Sequence, residues 1–279
     1  SMSTVAARMN FYPASETGGP IRHVDFRQPA EGPAPVSAEV SVFDARENEN
    51  IGLHKSGFEL VHSTSAVRNF YDADEVIETY YKECQALATK LTGAHTTFTY
   101  DHIIREPGKQ FSAGGTGADQ KETGENRGGG YIGTVHMDYT DNTTWDRYLG
   151  LHGETVPKAD HIYALNFWRP ISASVDDNPL AVCDARTVRR TDLQETVVYG
   201  YGADTYSWHD IGIETFSVST GEHQQWYYYP GMTPDDVLII KSYDSDGVIG
   251  TTCPHASFPH PQPKGLERRS IELRGLCFC

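Results

Sequence analysis

No apolar run in the 279 residues approaches the ~18 that a membrane helix requires, and no basic-then-apolar leader opens the chain. Both absences predict a soluble, cytoplasmic protein with no membrane partner. Cations are scarce: 23 Lys and Arg stand against 38 Asp and Glu, a formal net charge of -15 with no basic stripe to interrupt it. Such a surface repels a phosphate backbone, so no nucleic acid partner is expected. Cysteine is also sparse. The five present (Cys84, Cys183, Cys253, Cys277, Cys279) are odd in number and form no C-x-x-C pair, which excludes an obvious disulfide framework or zinc knuckle and leaves reduced, buried thiols. Three hydrolytic or phosphate-binding signatures are missing too: the Gly-Lys-Ser/Thr end of a P-loop, the G-x-S-x-G elbow and H-E-x-x-H.

What is present has the texture of a β protein. Residues 1–50, with Pro20, Pro29, Pro33 and Pro35, read as an extended N-terminal arm packing on the core. Residues 51–279 read as a single domain. From Asp74 to Leu91 the apolar positions Val76, Ile77, Tyr80, Cys84, Leu87, Ala88 and Leu91 recur at helical spacing, and Gly93 supplies a stop. Short alternating or β-branched segments follow, at 96–104, 131–139, 162–168, 180–184, 197–201, 224–229, 237–242 and 270–278, separated by turn signals such as Pro107-Gly108 and Asp246-Gly247. Eight strands with a flanking helix predict a mainly β fold, a double-stranded β-helix of the jelly-roll or cupin-like kind. Ser112 to Gly130 holds seven glycines and precedes His136, which reads as a cover for a site.

His136-Met137-Asp138 lies in a strand-like segment, where residues i and i+2 share a face, so an imidazole and a carboxylate are presented together. Iron(II) in a facial triad needs that pair plus a distant second histidine, with open positions for ligands. His255, in Cys253-Pro254-His255-Ala256-Ser257-Phe258, is the candidate. Thirteen residues on, Arg268 and Ser270 share a face by the same period, offering a guanidinium fork and a hydroxyl to the far carboxylate of 2-oxoglutarate. Arg274 shares that face and is the rival anchor. Arg169, at the end of an apolar strand, is either a substrate contact or a structural ion pair. Asn166 and Trp168 would face one side, toward a pocket. Arg105 is either a substrate contact or a structural partner of Asp101.

Six ordered blocks extend these readings: His136-Met137-Asp138-Tyr139-Thr140, Asn166-Phe167-Trp168-Arg169-Pro170, Asp177 to Asp184, Trp226 to Pro230, Pro254 to Phe258, and Arg268 to Arg274. From about Gly57 to the C-terminus the chain resembles the hydroxylase/desaturase family of secondary-metabolite clusters, which includes cephamycin-methoxylation and gibberellin-desaturase-like proteins. The resemblance implies a non-haem iron(II)/2-oxoglutarate-dependent dioxygenase, using O2 on a small natural-product intermediate, amino acids and their derivatives among them. C–H abstraction would lead to hydroxylation, desaturation or oxidative cyclisation, C–N ring closure included. Two other readings stay open: an accessory subunit of a two-component enzyme, and a zinc-dependent hydrolase or lyase on a cupin-like barrel, for which an Arg-x-Ser anchor has no evident use. A homodimer is the default expectation for assembly.

Overall fold

The computed structural model describes residues 1–13, 19–25, 28–29, 32–107, 128–129, 131–200 and 211–279. The strands run in chain order as β1 (Thr4–Phe11), β2 (Arg22–Asp25), β3 (Val36–Asp44), β4 (Phe58–His62), β5 (Thr96–Arg105), β6 (Gly128–Gly129), β7 (His136–Met137) and β8 (Ile162–Pro170). They continue as β9 (Leu180–Cys183), β10 (Leu193–Tyr199), β11 (Ile213–Val218), β12 (Trp226–Tyr228), β13 (Asp236–Asp244), β14 (His255–Ser257) and β15 (Ser270–Phe278). Two sheets result. The larger has the order β1-β3-β12-β9-β14-β7-β11-β10-β2, and the smaller the order β4-β13-β8-β15-β5-β6. This is the expected mainly β, jelly-roll architecture, built from fifteen strands among the described residues where eight were expected.

Period-two alternation decides which side of the smaller sheet each residue serves. Leu165, Phe167, Ile271, Leu273 and Ile104 point outward into an apolar cluster with Val76, Tyr80, Tyr81, Cys84 and Ala88 of the helical segment. Trp168, Leu238 and Ile240 point inward and pack with Val182, Tyr227 and Tyr229 of the larger sheet's side. The helical segment comprises α1 (Ala73–Glu75), a π-turn (Val76–Tyr80) and α2 (Tyr81–Thr92). Asp72 caps its start by accepting the Asp74 and Glu75 N–H groups, and Gly93 ends it at φ 74°. The π-turn matters because successive α-helical residues diverge in direction, yet Tyr80 and Tyr81 are both buried here.

The first fifty residues contribute β1, β2 and β3 to the larger sheet. β1 pairs with β3 on one side and is bonded on the other to the segment leading into β7: the Asn10 N–H donates to Gly133 O at 2.9 Å, and the Val135 N–H to Asn10 O at 2.9 Å. Ala7, Met9 and Phe11 are buried against Val135 and Met137. β1 therefore braces the stretch that carries His136. Most of the glycine-rich segment read as a cover lies outside the described residues, as does His209 and the side chain of Asp101.

Candidate metal centre and adjoining cleft

β7 and β14 are neighbours in the larger sheet, with His136 directly opposite His255. Their rings sit 4.6 Å apart between centroids. Met137 turns into the core, so Asp138, two residues past His136, returns to the same side. Its Oδ1 lies 3.3 Å from His136 Nε2 and 4.0 Å from His255 Nε2. One donor atom from each of the three residues falls within 4.8 Å of the others. The Nδ1 atoms are turned away: that of His136 lies 2.8 Å from Thr134 O and that of His255 3.5 Å from Cys253 O. Nδ1–H donation to those carbonyls turns both Nε2 atoms toward Asp138, where His136 donates to Oδ1 when protonated and each Nε2 offers its lone pair to a metal when deprotonated.

The charges agree with this geometry. Burial alone would push the Asp138 carboxyl up, but Arg274, the hydrogen bond from His136 and the charge of His255 hold it well below the carboxylate range. Burial disfavours the His136 imidazolium, yet its hydrogen bond and charge contact with Asp138 raise its pKa. His255 is lowered, by burial first and His136 second. A second His/Asp group, His161 with Asp244 and Asp246, is built differently. There the Lys241 ammonium sits 3.1 Å from Asp244 Oδ2, and the Asp246 side chain is 81% exposed, so an internal ion pair already serves the cluster.

Beside the three residues opens a cleft of about 370 Å³, counting the space that reaches solvent. His136, His255, Trp168, Tyr131, Arg268 and Glu272 line it, with Arg105, Arg274, Ser257, Leu180, Ile132 and Ala256. Arg268 is 1% exposed. Its Nε donates to Asn178 O at 2.9 Å, Nη1 to Ser270 Oγ at 2.7 Å and Nη2 to Ser257 Oγ at 2.9 Å. Its guanidinium lies 3.9 Å from the Tyr131 ring centroid and 5.2 Å from that of Trp168. Burial pushes its pKa down to about 9. Every one of those hydrogen-bond acceptors is neutral, and among the described residues no carboxylate lies within ion-pair distance. The chain reaches this position through Asp177, whose carboxylate accepts the backbone N–H groups of Lys264 (2.6 Å), Gly265 (2.8 Å) and Leu266 (3.0 Å). Next to it, Asn178 adopts a left-handed φ of 51° and aims its carbonyl at Arg268.

Residues 9–278 match the family model described as an oxidoreductase/YMDC permease-like domain. The chain is 32% identical over 253 residues to the hydroxylase/desaturase efuI of Hormonema carpetanum, an alignment covering 86% of this chain and 83% of that relative. The chain belongs to the hydroxylase/desaturase family. Another relative, 29% identical over 251 residues with 86% of this chain and 83% of the relative covered, is the Fe(II)/2-oxoglutarate-dependent dioxygenase nvfI of Aspergillus novofumigatus. A solved structure of the iron and alpha-ketoglutarate-dependent endoperoxidase NvfI superposes with a TM-score of 0.78 at 25% identity, covering 100% of this chain and 99% of that one. The chain is thus an oxygenase of the iron(II)/2-oxoglutarate-dependent type that acts with O2 on a small molecule, and the zinc hydrolase and accessory-subunit readings are not favoured.

Within this hydroxylase/desaturase fold the remaining sequence-predicted residues part company. Trp168 lines the cleft, as does Arg105, whose Nη2 is 4.0 Å from Glu272 Oε2. Asn166 shares the inward face but turns to Asp138 instead, donating to Oδ2 at 2.5 Å. Arg169, expected as a substrate contact or an ion pair, is neither placed in the cleft nor paired with an acid among the described residues. One residue after Trp168, it faces the opposite side of the sheet, where its Nη1 donates to Ser63 O and Pro234 O, both at 2.6 Å, and its guanidinium stacks on Tyr80. Sequence reasoning missed Ser257, Tyr131 and Glu272. Ser257 was signalled by His255-x-Ser257, the same period that linked Arg268 to Ser270, and Glu272 by its place between Ser270 and Arg274. Tyr131 carried no signal.

Proposed function

We propose that His136, Asp138 and His255 hold iron(II), that Arg268 with Ser270 and Ser257 anchors 2-oxoglutarate, and that Trp168 and Arg105 contact the organic substrate. The donor set fits the metal: two imidazoles with converging Nε2 lone pairs and one carboxylate oxygen match the facial arrangement that leaves further positions open. Iron(II) bound there supplies the coupling of dioxygen reduction to oxidative decarboxylation of 2-oxoglutarate and to C–H abstraction. The protein's own tasks are binding, orientation and exclusion of water. A buried guanidinium held only by neutral acceptors is the observation that carries the co-substrate reading. It has five N–H bonds, of which three are used within the protein, so two remain for a carboxylate. Arg274 is the weaker anchor because its Nη2 is 3.6 Å from Glu272 and its Nε 3.7 Å from Asp138. Trp168 and Leu180 give the cleft an apolar wall on which a carbon skeleton can lie near the metal.

The net charge of -15 supports a protein without a nucleic acid partner, and five free cysteines support a reducing, cytoplasmic setting. None of the helices among the described residues is long and apolar enough to cross a membrane. A two-fold homodimer is the assembly to test first. The decisive experiment is a titration of the iron-loaded protein with 2-oxoglutarate. Arg268→Ala should weaken binding by about 2–5 kcal/mol, the cost of stranding a buried charged partner, and Arg268→Lys should recover part of it. Weakening confined to Arg274→Ala would instead make Arg274 the anchor.

A further inference from the structure

Asp138 has two carboxylate oxygens, and they face different environments. Oδ1 faces the two imidazole Nε2 atoms. Oδ2 takes the Asn166 Nδ2–H at 2.5 Å and lies 3.7 Å from Arg274 Nε. Asn166 is 1% exposed on β8, a central strand of the smaller sheet, whereas Asp138 follows β7 of the larger one. The nitrogen is the amide atom turned toward Asp138, because ionised carboxylate oxygens only accept and Glu272 Oε1 also lies 3.4 Å from Asn166 Nδ2, while the Ser242 hydroxyl lies 3.3 Å from Asn166 Oδ1 on the other side. Charge-assisted donors hold a carboxylate oxygen tightly.

We infer that Asn166 is a positioning residue that ties up Asp138 Oδ2 across the gap between the sheets, so that Asp138 binds metal through Oδ1 alone. The inference rests on the proposed iron site. One-oxygen ligation would leave the metal's remaining positions to the co-substrate and to dioxygen, whereas a carboxylate released to bind through both oxygens would occupy one of them. Asn166 thereby makes the larger sheet's ligand answerable to the smaller sheet, which also carries Ser270 at the start of β15, two residues after Arg268.

The test compares native protein with Asn166→Ala, Asn166→Ser, Ser242→Ala and His136→Ala. Iron(II) affinity is measured by competition with a chromogenic chelator. Nitric oxide, a stand-in for dioxygen, is then added anaerobically to the iron and 2-oxoglutarate complex, and the half-integer spin signal of the adduct is read. Asn166→Ala and Asn166→Ser should lose about 10- to 100-fold in iron affinity, as outer-shell changes do, and should give a diminished or altered adduct signal. Ser242→Ala, which leaves the donor in place but loosens it, should shift the signal less. The inference is overturned if both Asn166 variants, with apo-protein melting curves like the native one, match native affinity and adduct signal while His136→Ala loses iron. Retention of iron by His136→Ala would overturn the metal site itself and the inference with it. Should Asn166→Ala fail to fold, Asn166→Ser and Ser242→Ala decide the matter.

Discussion

At the scale of single residues, position along a strand separates stabilising cations from binding ones. Arg169 and Arg268 are both fully buried, but Arg169 spends its hydrogen bonds on two backbone carbonyls and the Tyr80 hydroxyl, whereas Arg268 faces the cleft. Arg169→Met should cost roughly 2–4 kcal/mol, because two half-buried carbonyls and the buried Tyr80 hydroxyl lose their donor, while the KM for 2-oxoglutarate stays near native in the folded fraction. Denaturant melts together with steady-state kinetics check this, and a raised KM at unchanged stability would contradict it. His102, bonded to the Tyr81 hydroxyl at 2.8 Å beside the helical segment, offers a pH-linked test. Burial lowers its pKa from 6.5 to about 4, so above pH 6.5 the folded and unfolded chains carry the same charge there. As pH falls from 6.5 to 4 the unfolded chain binds the proton first, and stability should drop by up to roughly 3 kcal/mol on this account. His102→Asn should flatten that part of the stability profile. A profile with the native slope would show that other groups govern it.

At the scale of elements, the ligand-bearing strands are short and owe their placement to neighbours. β7 and β14 contain two and three residues, and Gly57, at φ 87°, packs against the turn before β14. A Cβ there would stand 3.0 Å from Thr251 O and 3.3 Å from Ala185 Cβ. Gly57→Ala should therefore destabilise by about 1–3 kcal/mol through strain in φ alone, with iron affinity lowered as the Cys253–His255 segment shifts. Unchanged melting and iron binding would refute the packing argument. The same shortness explains what the sequence concealed. Periodicity made β5, β8, β13 and β15 legible because they are long and apolar on at least one face. β14 and β4 gave no such signal, and the proline-rich stretch in the N-terminal arm let a strand or two be expected there but not their bounds. The period-two rule grouped Asn166 with Trp168 on one face, but whether that face met substrate or a ligand depended on the opposite sheet. It also placed Arg268 and Ser270 together, as observed, while the single step from Trp168 to Arg169 that flips the face was overlooked.

At the scale of the whole molecule, the two sheets divide the work. The larger one carries His136, His255 and Ser257, and the smaller one Asn166, Trp168, Ser270, Glu272 and Arg274. Metal and co-substrate would bridge them, so their joint binding should raise the melting temperature, by about 2.7 kcal/mol of stability at a ligand concentration of 100 Kd. Iron alone should give a smaller rise. The most direct measurement is the visible absorption of the anaerobic protein after iron(II) and then 2-oxoglutarate are added, in native protein and in His255→Ala. A weak charge-transfer band that appears only with both additions, and is absent from His255→Ala, is the predicted result. Stoichiometric iron without a band in the native protein, or a native band in His255→Ala, would contradict the assignment of this site to iron and 2-oxoglutarate.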